Sequence, residues 1–266
     1  MNRPDLIHAR WRGAGLIACN LLALILLASW RWPSARLLWD SLDAWVFHLL
    51  NAPLASNTAW AHVWAVCSMR PVDLGFGLIM LAFLIKGNWI FAPAQVRKAL
   101  YAFLAVLFLL LLIRAGPFME VVRIMHWQRA SPSMTVQGAV RLAELFPDWS
   151  RVWHMKDASV RSFPGDHASI LLLWAIFLSP LARGWRRWLV WGLALLFILP
   201  RLVSGAHWFS DVLVGGLFLS LIAIGWGLYT PFAGRACSFM ERFGTPVLQR
   251  LGRLPGLRNI SLLSSR

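Results

Sequence analysis

The sequence predicts an all-α, polytopic membrane helix bundle with about six transmembrane helices and both termini on the cytoplasmic side. Three observations lead there. Hydrophobic residues make up 59% of the 266-residue chain and charged residues only 14%, against about 45–50% and about 25% in soluble domains. Apolar runs recur along the whole length, so one membrane domain accounts for them. Basic clusters flank those runs on alternate sides, the pattern expected of cytoplasmic loops.

The first expected span is Gly13–Trp30, retained in the chain because no small-residue cleavage site follows it. The segment from Trp32 to Arg70 is interrupted by Pro33, Asp40, Asp43 and Pro53. Within it, Leu42, Trp45, Val46 and Leu49 fall at helical spacing and predict an amphipathic helix on the bilayer surface. Further spans are expected at Val72–Ile85, Ala99–Phe118, His167–Leu181, Trp188–Val203 and Trp208–Tyr229. Several are short against the about 20 residues a crossing needs, so their ends are expected to extend into the interface. The catalytic membrane domain is thus placed at residues 1–231, with a polar outer loop at 120–163 contributing to the site. Residues 232–266 form a basic cytoplasmic tail, either amphipathic on the inner leaflet or disordered.

The net charge of +15 lies in short connections and in the tail. Arg10 and Arg12, Lys86, Arg97 and Lys98, Arg183, Arg186 and Arg187, then Arg235, Arg242 and Arg250 all map to the inner side. That distribution suits anionic headgroups, and no basic recognition helix or aromatic RNA motif points to nucleic acid. Cys19, Cys67 and Cys237 are too few and too scattered for a disulfide framework and read as packing residues. No metal-ligand spacing is present, and no cofactor motif.

Chemistry is carried by three clusters, all expected at the outer face. In Arg201-Leu-Val-Ser-Gly-Ala-His207-Trp-Phe-Ser-Asp211, the histidine and the acid are four apart at the start of the last span. On one helix face, Asp211 would accept from one imidazole nitrogen and leave the other free to attack. Arg201, across a Ser204-Gly205 turn, has a donor fork suited to phosphate oxygens. The plainer alternative is a pair that stabilises the helix start, with Arg201 snorkelling, but ionisable groups at membrane depth are expensive and usually functional. The second cluster is Ser162-Phe-Pro-Gly165-Asp166-His167. A glycine turn opening a helix offers N–H groups to an anion, and His167 is placed to act as general acid and base. Asp166 reads equally as a plain helix N-cap. The third cluster is the basic loop containing Arg123, His126, Arg129, Lys156 and Arg161. Arg129 and Lys156 are expected on the phosphate, because phosphoryl transfer needs fixed cations. Arg123, Arg141 and Arg151 read as solvated loop charge, and Arg114 as a snorkelling residue.

These motifs resemble the type 2 phosphatidic acid phosphatase superfamily, whose pattern is Lys-x6-Arg-Pro, then Pro-Ser-Gly-His, then Ser-Arg-x5-His-x3-Asp. Arg201, His207 and Asp211 match the third element, with Pro200 in place of its serine. Pro164 and His167 match the second, with Gly165 and Asp166 between them. In the first, Arg129 is present, but Ala130 and Ser131 precede Pro132 and Val122 replaces the lysine, a role left to Lys156 or Arg123. The runs Arg129-Ala-Ser-Pro132, Lys156 to His167 and Pro200 to Asp211 are similar to the lipid A 1-diphosphate synthase branch, over most of residues 13–231. That resemblance implies a metal-free transfer from undecaprenyl diphosphate to lipid A in the inner membrane of a Gram-negative bacterium, with the site facing the periplasm. It makes His207 the nucleophile, Asp211 its orienting group and His167 the acid and base. Arg201, Arg129, Lys156 and Gly165 would hold phosphate, with Asp166, Arg123 and Ser162 as further candidates. Two rival functions stay open at this point: a lipid phosphatase using water as acceptor, and a non-catalytic lipid carrier or assembly factor. Oligomeric state is not legible.

Overall fold

A computed structural model describes residues 9–251 and residue 262. Its described residues are helical apart from turns and one isolated bridge between Gly87 and Phe91. The principal helices are α1 (Gly13–Arg31), α2 (Pro33–Asn51), α3 (Thr58–Cys67), α4 (Arg70–Ile85) and α5 (Pro93–Ile113). After them come α6 (Asp166–Leu178), α7 (Trp185–Val203), α8 (Leu217–Leu228) and α9 (Phe232–Leu251). A π-helical turn, Arg114–Phe118, carries α5 onward into Met119–Ile124, and a second one, Asp211–Gly216, opens α8.

Each of the six expected spans is helical. Three continuous helices are long and apolar enough to cross a membrane: Gly13–Arg31, Pro93–Ile124 and Asp211–Leu228. Helices α3 and α4 qualify only together, with a bend of 65° between them. Helix α6 has 13 residues, short for a crossing on its own, and α7 carries Arg186, Arg187 and Arg201. Apolar side chains face outward along these helices, among them Ile17, Leu21 and Ile25 of α1, Leu74 and Leu78 of α4, and Phe108 and Leu112 of α5. In water such a surface would drive association; against lipid it is the stable arrangement.

Helix α8 sits at the centre, packed on α1, α5 and α6. The Ser220 hydroxyl donates to the Ser169 carbonyl at 2.8 Å, tying α8 to α6. The Trp174 indole donates to Met80 at 3.2 Å, tying α6 to α4. Around Trp174 the core interlocks Phe83, Phe103, Val106, Phe177 and Ile224.

The contacts also separate two ends of the bundle. At one end the Arg12 amide donates to Tyr229, so the start of α1 meets the end of α8. Helix α9 folds back there along the first turns of α5, where Cys237 is buried beside Lys98. The segment expected as the start of a tail is therefore packed helix through Leu251; residues 252–266 lie outside the described residues, residue 262 excepted. At the other end Trp30 of α1 stacks on Phe163, Arg114 pairs with Asp166, and the starts of α6 and α8 converge. The three chemical motifs meet at that second end.

Helix α2 is amphipathic in an informative way. Trp45 and Leu49 point outward, 62% and 56% exposed, while the buried face carries Asp43, Phe47 and Asn51. The Asn51 amide donates to the carbonyls of Val140 and Val203, both at 3.0 Å, pinning α2 to the loop at 120–163 and to α7.

Candidate active site

His207 does not share a helix face with Asp211. It lies in the turn before the helix, and Asp211 begins the π-helical turn that follows. The turn is shaped by Gly205, whose φ of +72° is a left-handed conformation that other residues adopt at a cost. Its carbonyl receives the Ser133 amide at 3.1 Å, so the loop at 120–163 closes over the turn.

The imidazole Nδ1 of His207 is 2.8 Å from the Ser162 carbonyl oxygen. A carbonyl only accepts, so Nδ1 carries the hydrogen and Nε2 presents a lone pair. Asp211 was expected to hold the ring by a direct hydrogen bond, but its Oδ2 is 3.7 Å from Nδ1 and accepts from the Trp208 amide at 2.8 Å. The backbone carbonyl of Ser162 orients the ring, and the carboxylate supplies a nearby negative charge. Ser162, proposed on the phosphate, is fully buried and acts on this histidine through its carbonyl, with its hydroxyl donating to Arg129 O.

Asp211 is wholly buried, and burying a carboxylate without partners is prohibitive. Arg129 solves this. Its Nε and Nη2 donate to Asp211 Oδ1 at 3.0 and 2.7 Å, Nη2 also to Ser210 Oγ at 2.6 Å, and Nη1 to Asp43 Oδ2 at 3.0 Å. Four of its five N–H donors are thereby engaged. Arg129, expected on the phosphate, is engaged by two buried carboxylates, which leaves one N–H donor for any further contact. Asp43 completes the cluster by accepting from the Ser210 amide and hydroxyl at 2.7 and 2.6 Å.

Gly165 also has a different task from the one expected. Its amide donates to the Asp211 carbonyl at 3.0 Å, and a Cβ there would lie 3.0 Å from that same oxygen. The missing side chain lets the loop before α6 lie directly on the turn before α8, which brings the two histidine motifs together. Gly165, not Asp166, is the N-cap of α6; Asp166 is the first helical residue and forms a two-pronged ion pair with Arg114. Arg114 is thus a partnered residue.

Beside this cluster stands a second one. His167 Nε2 is 4.0 Å from Asp73 Oδ1 and, like Arg201 Nη1, is buried without a hydrogen-bond partner among the described residues. Arg201 is paired through Nη2 with Asp73 Oδ2. Lys156 is half-buried, and its ammonium has no partner among the described residues; burial, Arg70 and Arg201 together push its pKa below the ordinary lysine range. Here cations outnumber acids and several polar atoms lack protein partners, as a site for an anion requires. Arg123 is elsewhere: it pairs with Glu120 on the exposed turn after α5.

Asp43, Asp73 and Ser210 were not singled out from sequence. Asp73 had a signal, being the lone acid in an apolar span. Asp43 had a weaker one, its four-residue spacing from Phe47 and Asn51 on the face opposite the apolar stripe.

With the geometry in hand, comparison is informative. A model of the PAP2 superfamily matches residues 105–235, which include both histidine motifs. The chain is 32% identical over 237 residues to lipid A 1-diphosphate synthase of Escherichia coli (strain K12), spanning 85% of this chain and 92% of that relative. The chain belongs to the PAP2 superfamily. It is accordingly an enzyme of the lipid phosphotransferase and phosphatase kind. No solved structure matches it significantly. Among the described residues no group of three or more His, Cys, Asp or Glu is placed to hold a metal ion.

Proposed function

We propose that this PAP2 enzyme moves the distal phosphate of undecaprenyl diphosphate to the 1-phosphate of lipid A through a phosphohistidine on His207. The observation that carries the reading is the fixed tautomer: Nδ1–H held by a backbone carbonyl leaves Nε2 as the nucleophile. Nε2 attacks the distal phosphorus, and the bond from phosphorus to the bridging oxygen breaks. His167, whose Nε2 lacks a protein partner, gives its proton to the leaving undecaprenyl phosphate. The imidazole gains positive charge as the P–N bond forms, and Asp211 at 3.7 Å stabilises it. Lys156 and the free Nη1 of Arg201 hold the phosphoryl oxygens. An oxygen of the acceptor phosphate then attacks phosphorus, the P–N bond breaks, and His167 takes any proton the acceptor releases.

The membrane setting supports the same reading. We place six crossings in the inner membrane of a Gram-negative bacterium, residues 1–231 as the catalytic unit and the segment from 232 at the cytoplasmic face. Arg10, Arg12, Lys86, Arg97, Lys98, Arg186, Arg187 and Arg235 gather at the end of the bundle away from the histidines, and Glu241 is the one acid among the described residues there. By the positive-inside bias that end is cytoplasmic and the site periplasmic.

The deciding experiment incubates purified enzyme with lipid A and undecaprenyl diphosphate labelled in its distal phosphate. Label on lipid A, separated by thin-layer chromatography, is the expected result. Label released only as inorganic phosphate would establish a hydrolase instead. No labelled histidine in a rapid-quench trap would remove the covalent mechanism.

A further inference from the structure

A cavity of about 590 Å³ opens at the site end of the bundle, outside the histidine clusters. Its walls include Gly116 of the π-helical turn, then Glu120, Arg123, His126, Gln128 and Arg161. Its charge balance is positive: two guanidiniums stand against one carboxylate, and that carboxylate is bound to Arg123, which leaves Arg161 over. Arg161 is exposed and has no acidic partner among the described residues. The Gln128 side-chain oxygen is buried without a hydrogen-bond partner, so a ligand hydroxyl or a water would satisfy it.

Two further features tie the cavity to catalysis and to lipid. Gln128 and Arg161 are the chain neighbours of Arg129 and Ser162, which position Asp211 and His207. Next to lining residues in the chain, Val121, Ile124, Met125 and Val160 are exposed by 42%, 59%, 55% and 69%. A basic, hydroxyl-compatible hollow with apolar chain neighbours suits an amphiphile whose head is a phosphorylated sugar.

We propose that this cavity binds the phosphorylated sugar headgroup of the acceptor lipid, with Arg161 as its principal anion contact, while the donor occupies the Lys156 and Arg201 side. The inference rests on the transferase reading above and adds a separate acceptor site to it. It divides the two lipid headgroups between two basic regions, while the acceptor oxygen still enters in line opposite the P–N bond, at the position beside His167 that the leaving oxygen vacated.

The test compares wild type with Arg161→Gln and with Arg123→Gln/Arg161→Gln, using mixed micelles of acceptor glycolipid and labelled donor. Removing a charge-assisted contact should raise the acceptor KM about tenfold or more. The rate and yield of the labelled phosphohistidine formed without acceptor should stay at the wild-type level. An unchanged acceptor KM in the double variant overturns the proposal. So does equal loss of adduct formation, which would place the cavity on the donor side. Inorganic phosphate as competitor separates a headgroup site from a free-anion site. If the variants lose phosphate inhibition while keeping the acceptor KM, the cavity takes free phosphate and the proposal fails. Label released by wild type only as inorganic phosphate, with the acceptor unmodified, would instead sink the transferase reading itself, so the two failures are distinguishable.

Discussion

Replacing Asp211 by asparagine should slow phosphoryl transfer about a thousandfold while leaving donor binding nearly intact. The carboxylate has three duties: Oδ1 receives Arg129, Oδ2 receives the Trp208 amide, and the whole group lies 3.7 Å from His207 Nδ1. Asparagine cannot perform them together, because turning its oxygen to Arg129 points its NH₂ at another N–H donor. The ring itself stays in place, since the Ser162 carbonyl holds it. What disappears is a negative charge beside an imidazole that becomes cationic on attack. At that separation and an effective dielectric of about 20, a unit pair is worth about 4 kcal/mol, or about three decades in rate. The neutral ground-state ring gains little from the carboxylate, so the loss should appear in kcat rather than KM. Rapid-quench measurement of phosphohistidine formation in a detergent-folded variant of unchanged helix content gives the rate directly. A loss smaller than about tenfold, or one confined to KM, would refute the electrostatic role and leave Asp211 a structural residue.

Asp43 lies one step further out, since it touches Arg129 and Ser210 but has no contact with His207. Asp43→Asn should therefore cost about 1–3 kcal/mol of stability and only about tenfold in kcat; equal damage to that of Asp211→Asn would place Asp43 at the reacting atoms. Gly165→Ala puts a carbon 3.0 Å from the Asp211 carbonyl at an ordinary φ, so its effect is purely steric. A loss of about 1–3 kcal/mol is expected, visible as a lower Tm and slower turnover, whereas Gly75→Ala, which meets open space, should change neither. Lys156 is cationic below its pKa, which burial, Arg70 and Arg201 have lowered. Raising the pH through that value removes a phosphate-binding charge, so donor KM should rise at a pH below the ordinary lysine range near 10.4. Lys156→Met should have a high KM that no longer varies over that range; an unchanged alkaline limb would exclude this lysine.

Helix positions were legible because their cause is local. Six apolar runs became helices whose ends lie within a few residues of the expected ones, apart from the stretch preceding Ala99. His167, His207 and Asp211 were singled out from residue type and spacing, and the fold brings their segments together through Ser162 and Gly165. What stayed hidden was which cation goes to which anion. Arg129 and Arg201 look alike in sequence, each a lone arginine in a motif, yet one is drawn to Asp43 and Asp211 and the other to Asp73. Those choices depend on α2 and α4 packing against the motif loops, contacts 86 and 128 residues apart that no local pattern encodes. Asp43 was further obscured because α2 turns its polar face inward and its apolar face outward, the reverse of a soluble helix.

On the mechanism proposed above, the division of charge between the two clusters gives the reaction a direction. Around His207, Asp43 and Asp211 outnumber Arg129, so that neighbourhood favours a cation. Across the site, Lys156, Arg70 and Arg201 outnumber Asp73, so that side favours an anion. In that mechanism a diphosphate drawn to the basic side would be turned by its own charge, its oxygens toward Lys156 and Arg201 and its phosphorus toward the imidazole. Attack then moves positive charge toward the acidic side and negative charge onto the leaving oxygen, near His167. Both displacements run down the field the buried residues already set up, which is what preorganised electrostatic catalysis requires. The same logic explains why Arg129 serves the carboxylates: without it, two buried anions beside His207 would repel the incoming phosphate. Neutralised to a single net negative charge, they stabilise the imidazolium and still admit the substrate.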